Sequence, residues 1–277
     1  MKSKYTVGIN EYKRMNTEEL RSTFLLEEMF LAGQSELVYC EVDRTVVGGF
    51  TPTIAPLKLE AGKELASDYF CQRREVGIIN LGGKGTVSVD GTVYNMNNID
   101  CLYIGRGSKE ITFESAEASS PAYFHLVSYP AHTDYPTTLA TQSDANPVNM
   151  GSLEDSNHRT IYQYIHANGG IKSCQLVMGV TVLEPGSVWN TMKPHTHERR
   201  SEVYTYFNLN DDSAVFHMMG SAQETRHIIA RDKETVVSPS WSLHSGAGTC
   251  AYSFVWGMGG ENQEFTDMDH IEVKELK

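Results

Sequence analysis

Four side chains in the C-terminal half of the chain could together bind a metal ion. His195 and His197 are two positions apart, and residues at that spacing on a β-strand point to the same face. Glu202 follows after a short turn, and His244 comes five residues after Pro239, where another strand is predicted to begin. Three imidazoles and one carboxylate suit a divalent transition metal. The spacing therefore predicts a metal site formed by these four residues.

The spacing of the four ligands resembles the two sequence motifs of the cupin superfamily. The first motif is a glycine followed by HxH and a glutamate, and Gly186 stands ahead of the histidine pair in that place, at slightly longer spacing. The second motif is a proline ahead of a single histidine, which Pro239 and His244 match. The resemblance implies a small double-sheet jelly roll whose interior holds one metal ion or ligand.

Composition excludes several classes of partner. The 277 residues include 23 Lys and Arg against 35 Asp and Glu, and the net charge of -12 argues against nucleic acid, which requires a cationic face. No apolar run approaches the roughly 18 residues of a membrane span, and the N-terminus has no apolar segment typical of a signal peptide. The five cysteines are odd in number and widely spaced, as is typical of a reducing compartment. We expect a cytoplasmic protein without a membrane or nucleic-acid partner.

The elements that position the ligands are predicted to be mainly β-strands. One early segment has a helical period, with Asn16 and Glu19 as a capping box and Gly33 as its end. Elsewhere short alternating runs are separated by turns such as Asp90-Gly91, a strong hairpin signal. The predicted fold is mainly β, with tandem cupin barrels and a short N-terminal helix. The apolar residues that carry the helical period are Leu20, Phe24, Leu25 and Met29.

A weak internal repeat in the sequence predicts that the chain consists of two similar halves. We place the N-terminal half at residues 1–150 and the C-terminal, metal-binding half at residues 151–277. In the first half Glu75 alone remains among the possible ligands, and one carboxylate cannot hold a transition metal. We therefore expect one metal ion per chain. The matching segments are KLEAG (58–62) with VLEPG (182–186), and RREV (73–76) with RRSEV (199–203).

Longer blocks resemble a particular family of enzymes. The stretch from SCQLVMG to ETRHI, with SPSWSLHSGAGT and GENQEFTDMDH after it, is similar to the 4-deoxy-L-threo-5-hexosulose-uronate ketol-isomerases. The blocks DRTVVGG and RREVGIINLGGKGTVSVDG extend the resemblance over nearly the whole chain. It implies a typically hexameric enzyme of pectin breakdown that acts on a small anionic sugar acid. It also implies one zinc ion on His195, His197, Glu202 and His244, although these ligand types accept manganese, iron or nickel as well.

The implied reaction interconverts 5-dehydro-4-deoxy-D-glucuronate and 3-deoxy-D-glycero-2,5-hexodiulosonate. An aldehyde at C1 becomes a ketone at C2, so a proton moves through an enediolate. A metal ion that polarises the C1 and C2 oxygens stabilises the developing charge as a Lewis acid. Zinc suits a redox-neutral reaction, and a hydride shift remains an open alternative.

Three residues are candidates for proton transfer. Strand parity places Tyr206 on the same face as Glu202, as an acid or hydrogen-bond donor. Glu261 follows the last predicted strand and could fold over the mouth of the barrel as a base. His217 could carry protons. Each has a structural alternative, namely a packed tyrosine, a solvated turn carboxylate and a core hydrogen bond.

Recognition of the substrate carboxylate should require arginine, whose planar fork binds both oxygens. Arg226, between predicted strands of the metal-binding half, is the first candidate, and Arg199, in the turn after the histidine pair, is the second. The histidines without ligand spacing, among them His270, are expected to be structural.

Three other functions stay open on the sequence alone. The first is 5-deoxyglucuronate isomerase of inositol breakdown, which is disfavoured by the HTHERRSEVY and GENQ blocks. The second is an iron-dependent cupin dioxygenase, which oxygen consumption would reveal. The third is a sugar-binding cupin that binds without turnover.

Overall fold

The computed structural model describes residues 1–168 and 170–277, and it divides the chain into two compact units. The first unit contains residues 1–4, 28–146 and 163–178, and the second contains the remaining described residues. These units differ from the predicted halves in three segments. Residues 5–27 and 147–150 belong to the second unit, and residues 163–178 belong to the first, so the order of residues along the chain does not by itself assign them to a unit.

Strands dominate both units. None of the helices in the described ranges is long and apolar enough to cross a membrane. The helices are α1 (Ile9–Tyr12) and α2 (Thr17–Phe24), with 3-10 turns at Val42–Arg44, Lys63–Leu65, Phe70–Gln72, Gln142–Asp144 and Val273–Glu275. The strands are β1 (Lys2–Lys4), β2 (Leu25–Leu26), β3 (Ser35–Cys40), β4 (Val46–Phe50), β5 (Leu57–Lys58), β6 (Arg74–Asn80), β7 (Gly85–Val89), β8 (Thr92–Met96), β9 (Cys101–Ile104), β10 (Ile111–Ser115), β11 (Phe124–Pro130), β12 (Thr138–Ala140), β13 (Asn146–Met150), β14 (Arg159–Ile165), β15 (Val177–Leu183), β16 (Trp189–Thr196), β17 (Arg200–Phe207), β18 (Val215–Ser221), β19 (Glu224–Ala230), β20 (Thr235–Ser238), β21 (Leu243–Gly248), β22 (Ser253–Gly260) and β23 (Asp269–His270).

The first unit is a sandwich with an apolar interior. One sheet has the order β1-β3-β4-β11-β6-β9-β12 and the other β5-β10-β7-β8. Phe50 from the first sheet stacks on Phe113 from the second, with ring centroids 4.1 Å apart, and Phe124 packs against Phe113 at 5.3 Å. Because these aromatic rings and the surrounding aliphatic side chains fill the interior, this part of the unit is a packed core.

The predicted hairpin at Asp90-Gly91 is confirmed. Both residues have positive φ, 49° and 86°, as a two-residue turn between β7 and β8 requires. Such turns match the twist of the flanking strands and favour Asp-Gly.

The second unit is also built from two sheets, but polar side chains enter its interior. One sheet has the order β13-β14-β15-β22-β17-β20-β2 and the other β19-β18-β21-β16-β23. Tyr206 of β17 and His217 of β18 meet between the sheets, with 2.7 Å between the tyrosine hydroxyl and Nδ1. Both side chains are fully buried. The interior of this unit therefore carries hydrogen-bonding groups where the first unit carries phenylalanines.

The N-terminal helix is shorter than predicted. The capping box is present, since the Glu19 amide donates to Asn16 Oδ1 at 3.0 Å and the Asn16 amide to Glu19 Oε2 at 2.7 Å. However, α2 ends at Phe24, and the prediction that it continues to Gly33 is wrong. Leu25 instead leaves the helix and pairs with Val236 of β20, where it is buried at the sheet edge. Tertiary pairing here outweighs the helical period.

Candidate metal centre

Three strands and one turn bring the four predicted ligands together. His195 lies near the end of β16 and pairs across the sheet with His244 of β21. His197 follows two residues later, on the same side, at the start of the turn into β17. Glu202, in β17, belongs to the opposite sheet. The cluster therefore lies between the two sheets of the second unit.

The ligand atoms of this cluster converge on one point. His195 Nε2 lies 3.2 Å from His197 Nε2 and 3.0 Å from His244 Nε2. Glu202 Oε2 lies 3.1 Å from the Nε2 atoms of both His197 and His244. All four ligand atoms lie within 4.8 Å of one another, and no ligand is more than 6% exposed.

This donor set fits a divalent metal ion. With metal–ligand bonds of about 2.0–2.1 Å, neighbouring ligand atoms are roughly 3.0 Å apart in an octahedron and roughly 3.3 Å apart in a tetrahedron. His197 Nδ1 lies 2.7 Å from the backbone oxygen of Asp267, to which it can only donate, so the Nε2 lone pair faces the cluster. Because several imidazole nitrogens and a carboxylate oxygen point at each other, a cation between them relieves their mutual repulsion.

The protonation states of the cluster suit ligation. Burial alone would raise the pKa of Glu202, but His244 and His197, whose Nε2 atoms both lie 3.1 Å from its Oε2, hold that pKa well below its usual value. Burial, with His244 and His197 close by, lowers the pKa of His195 to about 2. Glu202 is therefore ionised and His195 neutral near pH 7, which are the forms that bind metal.

A cavity of about 310 Å³ opens onto the cluster, and every residue that lines it belongs to the second unit. Its size is at the lower end of the range for small-molecule sites. Its walls are largely apolar, with polar groups at a few places. Apolar side chains come from Phe254, Trp256, Met258, Phe265 and Met268, and polar ones from Arg159, Lys193, Tyr204 and His270.

Two adjacent arginines hold one wall of this cavity, which we call the C-terminal wall (residues 262–270). The guanidinium of Arg200 is buried and donates to the backbone oxygens of Glu264, Phe265 and Asp267. Arg199 forms ion pairs with Asp267 and Asp269. These contacts fix Phe265 and Met268 at the cavity.

Tyr206 and His217 lie together but away from the cavity lining. Their mutual hydrogen bond occupies the tyrosine hydroxyl, and burial lowers the pKa of His217 to about 3. Tyr204, two residues before Tyr206, lines the cavity, and its hydroxyl lies beside Glu202 and Thr191. Strand parity therefore predicts which face of β17 points into the interior. It does not predict which residue on that face, Tyr204 or Tyr206, lines the cavity.

The other predicted site residues also lie outside the lining. Glu261 is exposed, and its amide donates to the backbone oxygen of Arg199, whereas the residues after it form the wall. Arg226 is on β19, where it pairs with Glu224. Arg199 acts on the wall through Asp267, as described above.

Three basic residues that line the cavity were not singled out from the sequence as functional. Arg159 stands at the start of β14, far from the histidine motifs. His270, expected to be structural, pairs with His195 across β16 and β23, and their rings are 5.6 Å apart. Lys193 pairs with Glu272 at 2.7 Å. The sequence contains one signal for a role of His270, namely the family-like block GENQEFTDMDH that includes it. The spacing of residues gives no such signal for Arg159.

The double-sheet units and the buried histidine–glutamate cluster define a cupin-fold protein. A crystal structure of an IolB-like protein from Salmonella typhimurium LT2 superposes with a TM-score of 0.69 at 10% identity, covering 90% of this chain and 96% of that chain. The Bacillus subtilis oxalate decarboxylase, with Mn(II) centres, gives a TM-score of 0.56 at 11% identity, covering 80% and 70%. The predicted cupin fold, mainly β, is confirmed.

The chain belongs to the KduI/IolB family, whose model matches residues 25–273. A Halalkalibacterium halodurans protein is 50% identical over 277 residues and covers all of both chains. A Lachnoclostridium phytofermentans protein is 53% identical over 267 residues, which is 96% of each chain. Both are named 4-deoxy-L-threo-5-hexosulose-uronate ketol-isomerase, so the family resemblance predicted from the sequence is confirmed.

Proposed function

We propose that this protein isomerises 4-deoxy-L-threo-5-hexosulose uronate to 3-deoxy-D-glycero-2,5-hexodiulosonate. The observation that carries the proposal is the buried cluster of three histidines and Glu202 at the cavity, in a chain that matches the named isomerases over its full length. The reaction transfers one proton from C2 to C1 and one from the C2 hydroxyl to the C1 oxygen, so it requires no oxidant or reductant.

The resident metal in this proposal is zinc, one ion per chain, on His195, His197, Glu202 and His244. Such a metal supplies a Lewis acid that stabilises negative charge on the substrate oxygens. Zinc is supported by the nitrogen-rich ligand set and by the redox-neutral reaction.

The side chains around the cluster have two tasks in this function. The Tyr204 hydroxyl, beside Glu202, donates a hydrogen bond at the reacting end of the substrate. Trp256, Phe265 and Met268 cover the cavity with apolar surface and keep bulk water from the reacting carbons. Both tasks depend on the C-terminal wall staying in place.

The cellular setting is also part of the proposal. A homo-hexamer and a role in pectin or related polyuronide breakdown follow from the sequence blocks that resemble the ketol-isomerases. A cytoplasmic location is supported by five free thiols. 5-Deoxyglucuronate isomerisation is not favoured, because the relatives that share half of the residues bear the uronate ketol-isomerase name.

The test is to incubate zinc-loaded protein with the uronate and follow by NMR whether the C1 aldehyde is replaced by a C2 ketone. His244→Ala should abolish conversion, whereas His227→Ala, a histidine outside the cavity, should convert like the unmodified protein. No conversion with zinc, manganese, iron or nickel would contradict the proposal. Oxygen uptake during the assay would indicate a dioxygenase instead.

A further inference from the structure

We infer that Arg159 binds the carboxylate of the substrate and makes the site selective for sugar acids over neutral sugars. The inference rests on the proposed function and assigns to β14 a role that the sequence suggested for Arg226 or Arg199. Arg159 lines the same cavity as the metal cluster and is only 7% exposed.

Arg159 is a buried cation without an anionic partner among the described residues. Its guanidinium donates from Nη1 to the backbone oxygen of Asn157 at 2.8 Å, and this is its one side-chain hydrogen bond within the described chain. Burial lowers its pKa, which reflects the cost of holding the charge there. Arginine nevertheless stays protonated in proteins. A buried charge is costly unless it is paired, so the remaining donors of the fork suit an anion that enters the cavity.

The other arginines near the site are already engaged. Arg199 is bound by Asp267 and Asp269. Arg226 is bound by Glu224 and lies outside the cavity. Lys193 does line the cavity, but its ammonium is half exposed and paired with Glu272.

The chemistry of the substrate needs two separate polar regions. Its reacting carbons C1 and C2 are at one end of the chain, and its carboxylate, C6, is at the other. The cavity offers the metal cluster for the first end and the guanidinium for the second, and Arg159 forms no ion pair with Glu202 in the described structure. A bidentate contact would fix the far end of the substrate without taking part in proton transfer.

The experiment compares two substrates in the zinc-loaded protein: the uronate and its neutral analogue with a hydroxymethyl group in place of the carboxylate. In Arg159→Met, kcat/KM for the uronate should fall about 100-fold or more, as for loss of a buried charge partner. The value for the neutral analogue should stay within about threefold. Arg159→Lys keeps the charge without the planar fork and should give an intermediate loss on the uronate alone.

The neutral analogue and the metal content of each variant report whether the site still folds. Equal losses on both substrates, or an acid-selective loss in Arg226→Met instead, would overturn the inference. If the unmodified protein does not isomerise the uronate, the proposed function fails, and Arg159 is tested separately by calorimetric binding of glucuronate. Equal affinity of glucuronate for the unmodified protein and for Arg159→Met would then overturn the inference by itself.

Discussion

Glu75 in the first unit and Glu202 in the second both lie near the start of a central strand, but they point to opposite faces of their sheets and have different partners. Glu75 is near the start of β6, between β11 and β9, and Glu202 is near the start of β17, between β22 and β20. Both follow a pair of arginines, in RREV and RRSEV. RRSEV has one residue more than RREV, and a shift of one residue turns a side chain to the other face of a sheet. Val76, and not Glu75, points into the interior of the first unit, whereas Glu202 points into the interior of the second.

Their surroundings decide what these two carboxylates do. Glu75 is fully buried and accepts hydrogen bonds from the Tyr103 hydroxyl at 2.8 Å and from three successive backbone amides at 2.6–2.8 Å. Those amides belong to Cys174, Gln175 and Leu176. Glu202 faces imidazoles instead. A buried carboxylate must be satisfied: on the outer face of its sheet Glu75 holds a loop, and on the inner face of its sheet Glu202 joins the candidate metal cluster.

The largest effect on activity is expected from Glu202→Gln. The amide loses the negative charge and turns a donor or a weak acceptor toward the imidazoles, so the cluster should lose metal. With the Lewis acid gone, kcat/KM should fall on the order of 1,000-fold or more, equivalent to several kcal/mol. Elemental analysis and the NMR assay measure both effects. Retention of a full metal complement would show that Glu202 is not a ligand.

Glu75→Gln is the matched change in the first unit and should act on stability instead. The new amide cannot accept all of the hydrogen bonds that the carboxylate accepts, and charge-assisted bonds are the stronger ones. The free energy of unfolding should fall by about 2–4 kcal/mol, measured by denaturant titration. Metal content at 25 °C should be unchanged. Metal loss in this variant, without unfolding, would contradict the assignment of different roles.

Tyr204→Phe, compared with Tyr206→Phe, tests which of the two tyrosines of β17 acts in the site. Loss of the hydroxyl beside Glu202 should lower kcat about 10- to 100-fold, with metal still bound, since positioned donors contribute at least that much. Tyr206→Phe is the control, because its hydroxyl binds His217 away from the cavity lining. A larger kcat effect in Tyr206→Phe would restore that residue as the catalytic candidate.

The smallest effect is expected from Arg199→Met, which removes the ion pairs to the C-terminal wall. Partly exposed pairs contribute about 1 kcal/mol or less, so KM should rise no more than about fivefold. Arg106→Met removes an exposed pair with Asp134 in the first unit and should leave KM unchanged. Steady-state kinetics distinguish the two variants. A rise in KM common to both would indicate a general effect of lost charge.

The clustering of His195, His197, Glu202 and His244 could be predicted because strand parity and motif spacing are local properties of the sequence. His195 and His197 share a face for that reason, and the turn before Glu202 fixes its return. Arg159 could not be predicted, because its place at the cavity depends on the position of β14 in the sheet, which no local pattern specifies. The same limit applies to Leu25, which fits the helical period of the sequence but pairs with Val236 in a sheet.

The hydrogen bond between His197 and the backbone oxygen of Asp267 couples two equilibria. One is the binding of metal by the cluster, and the other is the docking of the last residues of the chain onto the cavity. Thermodynamic linkage makes this coupling reciprocal, so the free energy by which bound metal favours the docked wall equals the free energy by which the docked wall favours metal. Removal of residues 262–270 is therefore expected to weaken metal affinity, although it changes none of the four residues of the cluster.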